Sequence, residues 1–255
     1  MTRYPVLNIW ADAVTLTEVI ESVVQFVEQG QGLHTLFASN PEKNFSVPKD
    51  QLLYNCFKNA DILLPDGIGV VLALQILYGV RTPRVTGIET MQEICNLAAT
   101  KGYRVFIYGA AEEVNQAAVE TLRERLPNLN IVGRSNGYVS ENEMENLATR
   151  IDESGAQILF LALGSPKQEQ WIARFGPRLP QVRVCQGIGG TLDILAGKSK
   201  RAPDFFQSRG LEWLYRLVTE PGRIKRQRVY PVFACQILVR KLVSFLRPGG
   251  NEDDN

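Results

Sequence analysis

The sequence predicts an α/β fold, a Rossmann-like, mostly parallel sheet with helices on both faces, followed by a basic helical C-terminal appendage. Three observations carry that reading. Apolar runs of four to six residues alternate with longer amphipathic segments through most of the chain. The 255 residues, 45% apolar and 22% charged, suffice for one well-buried domain with an appendage rather than two equal domains. Charge is unevenly spread: residues 198–250 hold twelve Lys or Arg against Asp204, Glu212 and Glu220, in a chain whose net charge is +1.

Taken in order, an amphipathic helix is predicted over residues 14–29 and a buried strand over 33–38, delivered into Asn40-Pro41-Glu42. Helix 51–59 leads to strand 62–65, which ends at Asp66-Gly67-Ile68-Gly69. Helices at 69–78 and 87–100 precede strand 103–108; helix 112–126 precedes strand 129–132. Helix 141–153, with Glu141, Glu143 and Glu145 on a solvated face, precedes strand 158–163. That strand runs into Gly164-Ser165-Pro166 and helix 167–175; glycine lets the turn close, Ser165 can cap, and Pro166 suits the first helical position. Such a helix start favours anions. A last strand at 182–185 leads to Gly187-Ile188-Gly189-Gly190. Strand alternating with helix in this way argues for parallel pairing.

After residue 196 no strand is visible, and helices broken at Pro203, Pro221 and Pro231 are expected. The division is therefore an α/β core at 1–197, a basic helical appendage at 198–247 and a polar, disordered tail at 248–255. The apolar stretch 229–239 is 11 residues long before Arg240 and Lys241, short of the ~20 that span a bilayer, so it could lie on a membrane rather than cross it.

Several chemistries are disfavoured. Cys56, Cys95, Cys185 and Cys235 are far apart and suggest neither a zinc site nor a disulfide framework, which fits a reducing cytoplasm. The N-terminus lacks the apolar core and cleavage pattern of a secretory signal, so no export is expected. There is no GxxxxGK[ST] and no Asp-x-Asp for a divalent metal. The single His34 lies inside an apolar strand, so acid–base work falls to carboxylates. Glycines at 187, 189 and 190 suit a nucleotide or diphosphate loop, but Leu192 stands where a dinucleotide fingerprint needs its third glycine. That weakens a Rossmann-type oxidoreductase. Arginines at 216–228 near Trp213, Tyr215 and Tyr230 sit in no nucleic-acid recognition motif.

Asp66, at the carboxyl end of strand 62–65, is the best general-base candidate, with a helix N-cap in an Asp-Gly turn as the alternative. Asp61 precedes the same strand and belongs at the opposite edge. Asn40 should reach the same edge as Asp66, although turn chemistry alone explains Asn-Pro. Arg84 could clamp a phosphate or pair with a surface acid.

Together, Asn40-Pro41-Glu42, Pro65-Asp66-Gly67-Ile68-Gly69, Arg84-Val85-Thr86-Gly87, Gly164 to Glu169, Gly187 to Gly190, Arg201-Ala202-Pro203 and Leu211 to Leu217 with Glu220-Pro221-Gly222-Arg223 resemble the WecG/TagA/CpsF glycosyltransferase family, in the right order. The resemblance implies an inverting, metal-independent transferase with no cofactor. It would move an N-acetylmannosamine-type sugar from a UDP donor to a polyprenyl-diphosphate-linked acceptor sugar in cell-surface polysaccharide synthesis. The protein would sit peripherally on the cytoplasmic membrane face, with no nucleic-acid partner and with a homo-oligomer left open. Asp66 matches the family's proposed base. Asn40, Arg84 and Gln168 match pocket positions, Gly189 of the glycine loop is a further substrate-binding candidate, and Arg216, Arg223 and Arg226 match appendage arginines that close over the diphosphate. Where the family often carries a threonine, this chain has Ala38. A non-catalytic nucleotide-sugar-binding subunit is the alternative.

Overall fold

The computed structural model describes residues 1–219 and 228–246. Two strands open the chain, β1 (Thr2–Val6) and β2 (Ile9–Ala13), paired antiparallel. Helix α1 (Leu16–Glu28) starts at a reciprocal cap: Glu18 N–H donates to the Thr15 hydroxyl, and Thr15 N–H donates to the Glu18 carboxylate at 2.7 Å. Then come β3 (His34–Ser39), α2 (Lys43–Ser46), α3 (Gln51–Lys58), β4 (Ile62–Pro65), α4 (Ile68–Tyr78) and α5 (Gly87–Lys101). The second half holds β5 (Arg104–Gly109), α6 (Glu112–Arg125), β6 (Asn130–Ser135), α7 (Met144–Glu153), β7 (Ile158–Ala162), α8 (Lys167–Phe175), β8 (Val184–Gly187) and α9 (Thr191–Leu195).

Strands β3 to β8 form one six-stranded sheet in the order β4-β3-β8-β7-β5-β6, every pair parallel. Side chains alternate strictly across it. Leu36, Ile62, Leu64, Val105, Ile107, Ile158, Phe160 and Val184 face α1, α5, α6 and α9. Phe37, Leu63, Phe106, Tyr108, Leu159, Leu161 and Cys185 face α3, α4, α7, α8 and the hairpin. Both faces are thus covered, which is why these strands read as unbroken apolar runs. Each fully buried Leu, Ile or Phe stabilises by about 1.5–3 kcal/mol.

The hairpin β1–β2 was not visible in the sequence, because a two-stranded ribbon alternating apolar with polar and aromatic residues has no long apolar run. Its Val6, Ile9 and Ala11 are buried, and it lies along the exposed side of edge strand β4. Asp12, 2% exposed, takes a two-pronged ion pair from Arg3 at 2.8 and 2.9 Å and also accepts the outward N–H of Leu63 at 2.7 Å. The sheet edge is thereby covered rather than left as a template for pairing.

Boundaries shift where polar residues enter the sheet. β8 begins two residues later than expected and takes in Gln186 and Gly187. β6 extends to Ser135, since an edge strand bulged against β5 is only half-buried. Beyond the sheet lie α10 (Asp204–Ser208), α11 (Glu212–Thr219) and α12 (Val229–Leu246). Pro203 caps α10, but Pro231 does not break a helix: it sits in the first turn of α12, where no intrahelical N–H is required. Pro221 lies outside the described residues. α12 packs back along α4, burying Phe233 and Ile237, and Lys241 donates to the Leu77 carbonyl at 3.4 Å. None of the described helices is long and apolar enough to cross a membrane.

Candidate active site

A cleft of about 690 Å³ opens at the carboxyl ends of β4, β3, β8 and β7, four adjacent strands of the six-stranded sheet. Its walls are the loops that leave those strands, where ligands of open α/β sheets gather. Asn40 leaves β3, Asp66 leaves β4, Gln168 follows β7, and Gly189 follows β8; all four line the cleft together with Arg84.

Asp66 stands one residue before the true cap of α4. Gly67 occupies the cap position, so Asp66 is not the N-cap that its Asp-Gly context allowed. Its backbone is fixed instead: the N–H donates to Ser39 O at 3.2 Å, and the carbonyl accepts Arg84 Nε at 2.6 Å. The glycines beside it permit a close approach. A Cβ on Gly67 would lie 2.8 Å from Pro41 Cδ, and one on Gly69 would lie 2.8 Å from Pro41 Cγ, so the first turn of α4 rests directly on the Asn40-Pro41 turn.

Asn40 also serves that turn, its carbonyl and side-chain oxygen both accepting Lys43 N–H, at 3.0 and 3.2 Å. Arg84 lines the cleft, and its guanidinium pairs at 2.6 Å with Glu212 of α11, a buried acid rather than the surface acid expected, side chains 20% and 7% exposed. Gly189 adopts φ +51°, a left-handed conformation that suits glycine. Ser165 does not cap α8; Pro166 takes the cap position without a side-chain bond, and the Ser165 hydroxyl accepts from Lys43 instead. Arg216 lies on α11, whereas Arg223 and Arg226 fall outside the described residues. Asp61 and His34 pair at 2.8 Å at the opposite end of the sheet, far from the cleft loops, as expected.

Sequence reading missed Lys43. It is 8% exposed, donates to Glu169 Oε1 at 2.8 Å, and joins the β3 exit to the start of α8. Burial pulls its pKa below the ordinary lysine value, with the neighbouring Glu169 carboxylate opposing that shift. Its only sequence signal was adjacency to the Asn-Pro turn. On the open side the cleft is lined by Trp213 and Tyr230, stacked with centroids 5.6 Å apart. Among the described residues, no three His, Cys, Asp or Glu side chains converge as a metal site.

A half-buried carboxylate, a glycine loop, an arginine and a buried glutamine converging on one cleft can orient a polar, anionic substrate and accept a proton from it. The sequence model of the Glycosyl transferase WecG/TagA/CpsF family matches residues 4–246. The chain belongs to the WecG/TagA/CpsF family. It is therefore a glycosyltransferase. Two of its curated relatives are named N-acetylglucosaminyldiphosphoundecaprenol N-acetyl-beta-D-mannosaminyltransferase. The Bacillus spizizenii protein is 34% identical over 219 residues, covering 86% of this chain and 84% of its own. The Bacillus subtilis protein is 34% identical over 199 residues, covering 78% and 77%. In this WecG/TagA/CpsF member the matched span takes in every loop of the cleft and α12.

Proposed function

We propose that this protein transfers an N-acetylmannosamine-type sugar from a UDP donor to a polyprenyl-diphosphate-linked acceptor sugar, with inversion and without a required metal. The observation that carries the reading is the placement of Asp66 in the cleft of a family whose relatives bear that acceptor and that sugar in their names. Asp66 takes the proton from the acceptor hydroxyl. The oxygen attacks the anomeric carbon from the face opposite the diphosphate, and the bond to the leaving phosphate breaks with its electron pair going to UDP. Asn40, Gln168, Gly189 and Arg84 hold the donor. Arg216, Arg223 and Arg226 neutralise the leaving charge, a task that fixed cations perform well in a water-poor cleft.

The purified protein is expected to form lipid-linked disaccharide and release UDP from UDP-N-acetylmannosamine and a short-chain lipid-diphosphate-N-acetylglucosamine with EDTA present, read by mass. Absence of product with this donor and with the oxidised uronic donor would move the reading to a non-catalytic nucleotide-sugar-binding subunit.

The appendage, residues 198–247, would attach this site to the cytoplasmic membrane face. Val232, Leu238, Val239, Leu242, Val243 and Leu246 of α12 are exposed, beside Arg240 and Lys241. An apolar face bordered by cations suits an anionic interface. Vesicles containing anionic lipid are expected to float the wild type in a salt-sensitive manner and not the L238E/L242E variant; equal flotation of both would remove α12 from the contact.

A further inference from the structure

The floor of the cleft holds a charged pair that the reaction above does not use. Glu169 is fully buried, Lys43 is 8% exposed and Gln168 is 6% exposed. Glu169 Oε1 accepts from Lys43 Nζ at 2.8 Å and from Gln168 Nε2 at 3.4 Å. Lys43 also donates to the Ser165 hydroxyl. Three strand-exit regions therefore meet here: Lys43 comes from the β3 side, Ser165 to Glu169 from β7, and Gly187 of β8 presses on Gln168. A Cβ on Gly187 would lie 2.4 Å from Gln168 Nε2, so the amide packs where only glycine leaves room.

This arrangement fixes which end of the amide faces inward. A carboxylate accepts only, so an amide turned the other way would set two acceptors against each other. With Nε2 held toward Glu169, Gln168 Oε1 is left buried with no hydrogen-bond partner among the described residues, in a side chain that lines the cleft. An unmet buried acceptor is costly, and a ligand donor would return that cost. The ion pair itself is a poor source of net stability, because desolvating two charges consumes most of their attraction.

We infer that the Lys43–Glu169 pair is a positioning couple that locks the Gln168 amide, so that its carbonyl oxygen receives a hydroxyl or amide N–H of the transferred sugar. The inference rests on the transferase reading. Lys43 and Glu169 border the cleft as well, and Glu169 Oε2 is a second buried acceptor with no partner among the described residues, but their role here is exerted through Gln168; the specificity they set is for a hydrogen-bond donor on the sugar rather than for the nucleotide.

Titration calorimetry with UDP-N-acetylmannosamine and with UDP alone separates the two. In K43M/E169M, which removes both charges together, sugar-nucleotide affinity is expected to fall about tenfold or more with UDP affinity unchanged, at a thermal midpoint close to wild type. E169D keeps the charge and retracts the carboxylate, and should show the same selective loss if the doubly neutral variant does not fold. Combined with Q168A, either change should add no further loss. Wild-type sugar selectivity in these variants, equal losses of UDP and UDP-sugar, or additive losses with Q168A would each overturn the inference. Failure of the wild type to bind UDP-N-acetylmannosamine at all, or to form product from it, would instead sink the transferase reading and this inference with it.

Discussion

Asp66→Asn is expected to slow turnover by about 10²–10⁴-fold, the usual contribution of a general base, while sugar-nucleotide affinity stays near wild type. The substitution preserves size, and backbone hydrogen bonds hold the loop on both sides of the carboxylate. Asp66 N–H is held by Ser39 O, its carbonyl by Arg84, and the helix that follows is capped by Gly67. The loss should therefore appear in kcat rather than in donor binding. Single-turnover rates and donor calorimetry on the same preparation test this. A parallel collapse of affinity and rate would assign Asp66 to the architecture of the loop instead.

The largest expected effect on stability is far from the chemistry. Asp12→Ala should cost about 2–4 kcal/mol, the sum of an orphaned buried N–H at Leu63 and a partly exposed ion pair with Arg3. Arg3 is 28% exposed and keeps weaker bonds to the carbonyls of Lys58 and Asp61 at 3.4 and 3.2 Å, so its charge is not stranded and the full cost of a buried pair does not apply. Asp12→Asn, which still offers an oxygen to Leu63, should lose less. Urea unfolding of the three proteins decides the matter; a loss below about 1 kcal/mol for alanine would mean that water replaces the carboxylate at the sheet edge.

The strands covered by helices on both faces were legible because two-sided burial leaves no polar positions: β5 and β7 are nearly continuous in apolar residues. The hairpin was illegible for the opposite reason, since it covers an edge and buries one side only. Asp66 could be found because a strand end, an acid and two glycines occur within a few residues. Arg84 was ambiguous on local grounds, and only the fold brings Glu212 to it from 128 positions away. Lys43 and Glu169 are 126 positions apart, and no spacing rule connects them. Loops from separate strands make a site whose members can be recognised singly but whose pairings are properties of the sheet order.

The contact between α12 and α4 has a mechanical meaning. Phe233 packs within reach of Gly69, where an added Cβ would lie 3.6 Å from its ring, and Gly69 is three residues from Asp66. Gln236 of the same helix accepts from Asn44 at 3.3 Å, one residue beyond Lys43. α12 thus touches both segments that lead from the cleft loops, the first turn of α4 after Asp66 and the short helix after Asn40. One helix from the end of the chain therefore braces, side by side, the two loops that carry Asn40 and Asp66.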